Sequence, residues 1–401
     1  MWLLHALVGA SALIDFRAFN TTACTTPVAL NTSTNIWLNY TLNQNNIYRQ
    51  KVGEAISNIT DTAEGLKALH VAETGSFAWI EGPRYIKDID QLADNVPCAN
   101  IVGLVLSGLP FKTCTNLDLL PTDDSLYYSQ AFINPIVAKI KARPNTAFAV
   151  ILEPGVMEKY ALDTTNACQH VRDSWHRNVP LALKALDLPN VITYLDGANG
   201  GVFGWTGRSW QGSATELTET WKAAGSLTQF RGLAVNVRGY NAWDLTPPER
   251  FKGENTCYDL YNKGRNEKRY LNYLYTAGLR VINSSMPFHN IMDTSRNGQL
   301  GLRENWSDWC NLNSAGIGLK PRAVTNEASI DAFVWASSPG VSDGTSDASS
   351  KNYQAECAGE VNFKPMPERG EVSMEYFRMM LSGCRGCAKV KARRRIEARC
   401  G

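Results

Sequence analysis

The chain has 401 residues, of which 44% are hydrophobic and 19% are charged, and its formal net charge is +2. This composition is typical of a globular protein that can bury a large core, either as one large α/β domain or as two smaller ones. A net charge this close to zero produces no overall electrostatic field that would attract nucleic acid or an anionic membrane, and we expect neither as a partner.

The N-terminus predicts a secretory signal. The apolar run from Trp2 to Ile14 is too short to span a bilayer but suits the core of a signal peptide, although no basic residue opens it. A buried first helix is the alternative interpretation. We predict a signal peptide over residues 1–18 and, after it, an irregular arm rich in Asn and Thr over residues 19–45.

Two further features indicate an extracellular protein. The ten cysteines are even in number and mostly widely spaced, which suits disulfide bonds formed in an oxidising compartment. Six Asn-x-Ser/Thr sequons predict a glycoprotein, at Asn20, Asn31, Asn39, Asn58, Asn283 and Asn305. No other segment is apolar and long enough to be a membrane helix. The sequence therefore predicts a secreted protein, and we expect a monomer.

Strands and helices are predicted to alternate along the rest of the chain. Short apolar runs ending on polar or turn residues predict strands within 76–82, 101–110, 147–155, 190–201, 230–241, 279–285 and 330–340. Helical spacing lies between most of them, as in 134–142, 174–186 and 267–279. Seven or eight such units favour a parallel barrel covered by helices over an open sheet. We assign residues 46–383 to one barrel domain, with its chemistry at the carboxyl ends of the strands.

The segment 384–401 surrounds three cysteines with seven Lys and Arg residues. A zinc site would need about four ligands, whereas this segment offers only Cys384, Cys387 and Cys400 and no histidine. We predict a basic, disordered tail.

Elsewhere the motif search predicts no metal and no cofactor. The five histidines have no metal-binding spacing. Phosphate-binding glycine loops and the G-x-S-x-G elbow of serine hydrolases are also missing.

Tryptophans on polar segments after predicted strands favour a carbohydrate site instead. These are Trp205, Trp243, Trp306, Trp309 and Trp335. Indole rings stack on sugar rings, and neighbouring amides and carboxylates satisfy the sugar hydroxyls. Any one of these tryptophans alone would equally suit a hydrophobic core.

Several blocks resemble glycoside hydrolase family 6, the cellobiohydrolases and endoglucanases of fungi and bacteria. They are LPNVITYLDGANGGVFGW, RGLAVNVRGYNAW, WSDWCN followed by GIGLKPR, and FVWASSPGVSDGTSD. The resemblance implies a distorted seven-stranded parallel β/α barrel, similar to a TIM barrel, and inverting hydrolysis of β-1,4-glucosidic bonds. It also implies the disulfides Cys114–Cys168 and Cys310–Cys357, and it leaves the pairing of Cys24, Cys98, Cys257 and the tail cysteines open.

The catalytic acid implied by the resemblance is missing from this chain. The family's Ile-Glu-Pro-Asp motif falls on Leu152 to Gly155, so that glycine stands where the acid belongs. The second carboxylate, which tunes that acid, falls on Thr113. An inverting glycosidase needs a protonated carboxyl group at the leaving oxygen and a means of activating water on the opposite face. The family's usual hydrolysis is therefore expected to fail, because the protonated carboxyl group is missing.

Some of the other positions of the family site are retained. The resemblance assigns the base or electrostatic partner to Asp343, and the substrate contacts to Asp196, Asn199, Trp205, Asn236 and Trp309. Asn199 stands in place of a family histidine, whereas the other five keep the family residue.

We predict a family 6-like protein associated with β-1,4-glucan or another polysaccharide and impaired in hydrolysis, that is, a pseudoenzyme. Loss of a general acid alone typically costs about 10²- to 10⁴-fold in rate. One alternative is an active glucanase for cellulose degradation that uses a displaced carboxylate such as Glu153 or Asp118. Another is a secreted interaction module with a vestigial cleft, whose partner would be a host or cell-wall protein.

Overall fold

The computed structural model describes residues 23–56, 62–114, 124–161, 163, 165–206, 208–225, 227–253 and 256–383. The predicted signal peptide, the sequons at Asn20 and Asn58, the candidate acid Asp118 and the basic segment 384–401 lie outside these residues. Within the described part of the chain, no helix combines the length and apolarity needed to cross a bilayer.

Within the described residues, nine strands form one sheet. They are β1 (Thr41–Leu42), β2 (Ala78–Ile80), β3 (Asn100–Leu106), β4 (Ala147–Leu152), β5 (Val191–Asp196), β6 (Phe230–Val235), β7 (Asn290–Asp293), β8 (Arg322–Ala323) and β9 (Ile330–Val334). Seven of them form a parallel series in the order β2-β3-β4-β5-β6-β7-β9. The short β1 also pairs parallel, with the start of β3, and β8 is antiparallel to β9. The amide of Phe77 donates to the carbonyl of Trp335 at 2.8 Å, which brings the two ends of the series together. The predicted seven-stranded barrel is confirmed.

In the segments that the structure describes, twelve α-helices surround or cap the sheet. They are α1 (Asn46–Ile56), α2 (Thr62–Ala72), α3 (Asp88–Leu92), α4 (Asp124–Leu126), α5 (Asn134–Lys141), α6 (Met157–Ala161), α7 (Gln169–Ala185), α8 (Gly200–Phe203), α9 (Arg208–Ala223), α10 (Thr256–Tyr261), α11 (Glu267–Tyr273) and α12 (Met374–Ser382). Tyr127–Ile133 and Leu274–Leu279 are π-helical, and Ile36–Leu38, Pro83–Tyr85 and Ala355–Cys357 form 3-10 turns. The helices predicted within 134–142, 174–186 and 267–279 are present.

The core has two sides because both faces of each central strand are buried. In β4, Phe148, Val150 and Leu152 belong to the hydrophobic cluster under the helices, whereas Ala149 and Ile151 belong to the cluster inside the barrel. Burial on both faces explains why the strands are continuous apolar runs instead of alternating ones. It also holds the strand ends in fixed positions around the mouth of the barrel.

The N-terminal arm is partly integrated into the barrel. Trp37, in the 3-10 turn, is buried in the interior cluster, and its indole N–H donates to the hydroxyl of Tyr194 at 3.0 Å. Since β1 pairs with the first residues of β3, the arm covers the end of the barrel where the strands begin. The opposite end, where the strands finish, holds the candidate site.

The strand predicted within 279–285 is wrong. The first of these residues, Leu279, ends the π-helical segment, the chain then continues into turns, and the strand β7 starts later, at Asn290. A short apolar run such as LRVI does not distinguish a strand from the end of a helix, and here it completes the helix.

Disulfides join distant parts of the chain. Cys114–Cys168 and Cys310–Cys357 are present as the resemblance implies, and Cys24–Cys98 is a third bond whose pairing had stayed open. Cys257 is free and exposed.

Candidate active site

The turn after β4 contains the glycine at the acid position. Gly155 has a φ of +77°, in the left-handed region that favours glycine. Its amide donates to Asp196 Oδ2 at 2.9 Å, and Oδ1 of Asp196 accepts from the amide of Ala198 at 3.2 Å. Burial, reinforced by the negative charge of Glu158, raises the pKa of Asp196 to about 7. Asp196 thus connects the turn after β4 to the end of β5.

Glu153 has a structural role in this turn. Its side chain is fully buried, and Oε1 accepts hydrogen bonds from the amides of Gly108 and Leu109 and from the hydroxyl of Tyr128, at 2.8, 3.1 and 2.9 Å. The carboxyl group therefore fastens the loop after β3 to the end of β4. This environment argues against Glu153 as a displaced acid that meets the substrate.

Thr113 provides no carboxylate at the tuning position. It is exposed beside the Cys114–Cys168 bond, and its carbonyl oxygen lies 2.9 Å from Nε2 of His170. The two positions at which the family resemblance places an acid and its partner are thus a glycine and a threonine.

The opposite side of the mouth keeps a charged carboxylate. Asp343 is buried, Oδ1 accepts from Arg238 Nε at 3.0 Å, and Oδ2 accepts from Arg296 Nη1 at 2.6 Å and from the amide of Asn311 at 3.0 Å. Burial alone would raise the pKa of Asp343, but the two arginines outweigh it and hold that pKa below its usual range. Asp343 is therefore an ionised group whose basicity is reduced by its partners.

Arg238 is a site residue that the sequence analysis missed. Its guanidinium lies over the rings of Trp79 and Trp309, at 5.4 and 4.9 Å from the ring centroids. These are cation–π distances, and they mean that the guanidinium covers an indole face that could otherwise stack on a sugar. Burial and the nearby charge of Arg369 lower the pKa of Arg238 to about 10, so the group stays charged at neutral pH.

A cavity of about 610 Å³ opens at the ends of β5 and β6. Indole, amide, guanidinium and carboxyl groups line it together, among them Glu158, Asn199, Asn236, Asn241, Arg303, Trp306 and Trp309. This mixture of flat apolar rings and hydrogen-bonding groups is the one that sugar rings require. Glu158 is a second residue that the sequence motifs did not indicate, although it lies only three positions after Gly155.

The two asparagines predicted as substrate contacts line the cavity but are held by the protein itself. Asn199 caps α8, with Oδ1 accepting from the amides of Gly201 and Val202 at 2.8 and 3.3 Å. Asn236 is fully buried and donates to the carbonyl of Asp293 at 2.9 Å. Direct sugar contact by either side chain stays a prediction.

The tryptophans divide into cavity-lining and supporting groups. Trp306 and Trp309 line the cavity, whereas the ring of Trp205 packs edge-on against Trp306 at 5.4 Å between centroids. Trp335 is fully buried in the core, and Trp243 packs against Phe333. A direct contact between Trp205 and a ligand stays a prediction, while its support of Trp306 is visible in the structure.

No cluster of three or more His, Cys, Asp or Glu residues that could hold a metal occurs in the described segments. Near the mouth, Asp343 accepts hydrogen bonds from two arginines and Asp196 from two backbone amides, whereas Glu158 lines the cavity itself. The arrangement sets an ionised carboxylate on one side and carboxyl groups of raised pKa on the other, which is the asymmetry that acid-assisted cleavage of a glycosidic bond uses.

Comparisons with known proteins identify a family for this chain. The model of Glycosyl hydrolases family 6 matches residues 37–384. The 1,4-beta-D-glucan cellobiohydrolase CEL6C of Podospora anserina is 40% identical over 363 residues, which cover 89% of this chain and 89% of that protein. Exoglucanase 3 of Agaricus bisporus is 27% identical, with 84% of this chain and 75% of the relative covered.

Solved structures show the same fold. The cellobiohydrolase Cel6A of Humicola insolens, in a variant bound to methyl-tetrathio-alpha-d-cellopentoside, superposes with a TM-score of 0.78 at 28% identity, covering 90% of this chain and 99% of that one. CcCel6C, a family 6 enzyme of Coprinopsis cinerea, gives a TM-score of 0.77 at 26% identity, with 88% and 98% covered. Sequence and structure together establish that the chain belongs to glycosyl hydrolases family 6.

Proposed function

We propose that this protein binds β-1,4-glucan chains in its cleft and has lost the hydrolytic route in which the acid stands at the end of β4. The observation that carries the proposal is the cavity at the strand ends, where Trp306 and Trp309 lie beside the amides of Asn199 and Asn241. Relatives of this chain are named for action on 1,4-β-D-glucan, and the Humicola insolens structure holds a cellopentoside analogue. Both support a glucan as the ligand.

The loss of the strand-end route is supported by the residues at the mouth. Gly155 has no side chain to donate a proton, and Thr113 has no carboxylate to tune one. Asp343 binds two arginines, so even the group on the opposite face is a weak base. Removing a general acid typically costs about 10²- to 10⁴-fold, and we expect a loss of that order here.

Secretion and glycosylation belong to the same proposal. Three disulfides are typical of a protein folded in an oxidising compartment. The sequons at Asn31, Asn39, Asn283 and Asn305 lie at exposed positions, where a glycan could be attached without disturbing the core.

Calorimetry with defined oligosaccharides tests the binding. We expect heat on titration with cellohexaose and little or none with laminarihexaose, whose β-1,3 linkages change the shape of the chain. An absence of heat with cellohexaose at millimolar concentration would overturn the proposal and favour the interaction module. In parallel, reducing ends released from soluble β-glucan should fall at least about 100-fold below those released by the Humicola insolens cellobiohydrolase at equal concentration.

A further inference from the structure

The carboxyl group of Glu158 occupies the neighbourhood that the missing acid leaves empty. A Cβ atom built on Gly155 would meet Glu158 Oε1 at 3.7 Å, an ordinary van der Waals contact, and this is the nearest atom outside the adjoining residues. The left-handed turn at Gly155 leads directly into α6, which starts at Met157 and carries Glu158 in its first turn. The chain thus places the carboxyl group of Glu158 3.7 Å from the point where a side chain at position 155 would begin.

Glu158 is also free to act on a ligand. It is half-buried and lines the cavity together with Asn199 and Trp309. In the part of the chain that the structure describes, no hydrogen bond or ion pair engages its carboxyl oxygens. Asp196 and Asp343, in contrast, have both oxygens bonded to protein groups. Of these three carboxyl groups, only Glu158 combines access to the cavity with free oxygens.

The surroundings favour a proton on this group. Burial raises the pKa of Glu158, and the positive charges of Lys159 and Arg238 offset that effect only in part. Asp196, whose Oδ2 binds the amide of Gly155, is a second carboxyl group with a raised pKa that feels the charge of Glu158. Two neighbouring carboxyl groups in a partly buried site resist carrying two negative charges, so they hold a proton to higher pH than isolated ones.

We propose that Glu158 is the proton donor that replaces the acid missing at Gly155, which allows a slow hydrolysis of the bound glucan. The inference rests on the proposed glucan-binding function. In the reaction, the carboxyl proton of Glu158 passes to the glycosidic oxygen as the bond between that oxygen and the anomeric carbon breaks. A water molecule forms the new bond to the anomeric carbon from the opposite face and releases its proton to solvent. Glu158 then regains a proton from solvent, and water is the only co-reactant.

Comparing two substrates with different leaving groups distinguishes a proton donor from a residue that has only a structural role. A sugar leaving group needs a proton, whereas 2,4-dinitrophenolate leaves without one. We therefore expect Glu158→Gln to lower the kcat for cellohexaose by about 10²- to 10⁴-fold while the rate on 2,4-dinitrophenyl β-cellobioside stays within a few-fold. Glu158→Asp, which keeps a shortened acid, should retain part of the cellohexaose activity. Glu219→Gln, on the exposed face of α9, is the matched control and should change neither rate.

Four outcomes would overturn the inference. One is cellohexaose turnover that Glu158→Gln leaves intact, and another is an equal loss on both substrates, which would indicate general damage to the site. A third is a wild-type protein that binds cellohexaose in calorimetry yet releases no reducing ends, which removes the inference but leaves the proposed binding function standing. A wild-type protein that binds no cellohexaose would remove both.

Discussion

The two sides of the cleft hold their carboxyl groups in opposite ways. Asp343 is fixed between Arg238 and Arg296 and kept ionised, whereas Glu158 and Asp196 bind no cation and have raised pKa values. The difference shows that ion pairs keep the carboxyl group ionised on one side, whereas burial favours a proton on the other.

Arg238 connects the two sides. It donates to Asp343, its charge offsets the raised pKa of Glu158, and its guanidinium lies on Trp309. The position of this arginine sets a cation against Trp309, one of the indoles that line the cavity. Mutations on the two sides should therefore have distinct effects. A change around Asp343 should lower the free energy of unfolding, and a change at Glu158 or Asp196 should alter proton binding.

The largest expected effect is on the charged side. Arg296→Met removes one of the two cations that balance the buried Asp343, and Arg296 is itself only 1% exposed. Breaking such a buried pair typically costs about 3 to 5 kcal/mol in the free energy of unfolding, because a charge is left without its partner. Denaturant unfolding followed by tryptophan fluorescence would measure this loss.

The control for this prediction is Lys268→Met, which removes a surface ion pair with Asp244 and Glu327. Exposed pairs contribute little, so its effect should stay within about 1 kcal/mol. Equal stability losses in the two variants would show that the charged side of the cleft is no more rigidly held than the surface.

The other side should respond to pH. Because the folded-state pKa of Asp196 is raised, the folded protein binds its proton more tightly than the unfolded chain does. Its contribution to stability is therefore complete below pH about 4 and is lost as the pH rises through about 7. The side chain of Asp196→Asn does not titrate, so the variant lacks this pH-dependent loss of stability. Its changed hydrogen bond adds a difference in the free energy of unfolding that does not vary with pH. Between pH 5 and 8 we expect the stability of the wild type to fall, relative to the variant, by roughly 2 to 3 kcal/mol. Parallel curves for the two proteins would contradict a protonated Asp196.

Restoring the acid at its family position should not restore the family's activity. Gly155→Asp forces a side chain into left-handed backbone at a φ of +77°, which costs about 1 to 2 kcal/mol. Its Cβ would also lie 3.7 Å from Glu158 Oε1, so the new carboxyl group would share a partly buried space with one that already holds a proton. We expect lower stability and no gain in reducing ends released from cellohexaose. Appreciable turnover by this single variant would mean that neither the turn nor Thr113 limits the reaction.

The smallest expected effect concerns the aromatic lining that the two sides share. Trp306→Ala should weaken cellohexaose binding about tenfold, or about 1.4 kcal/mol, because an indole face is lost from the cavity. Tyr275→Ala, which removes an exposed aromatic ring outside the cavity, should leave affinity unchanged. Calorimetry would compare the two, and unaltered binding in Trp306→Ala would place the glucan elsewhere.

Much of the fold is predictable because it depends on local pattern. Six of the seven predicted strand segments contain a barrel strand, since strands buried on both faces are continuous apolar runs. The segment 279–285 is the exception, because its apolar residues complete a helix whose end depends on packing against the rest of the chain. The pairing of Cys24 with Cys98 likewise depends on where the N-terminal arm crosses the barrel.

For the site, the sequence by itself determined what is missing. It identified the family, the glycine at the acid position, the threonine at the partner position and the retained Asp343, because each is a residue identity at a defined place in a motif. Only the tertiary structure shows which carboxyl group lies beside that glycine. The left-handed turn at Gly155 directs α6 so that Glu158 faces the gap, and the loop after β6 places Arg238 between Trp79 and Trp309. Both arrangements depend on backbone direction and on contacts between distant segments, which motif identity does not specify.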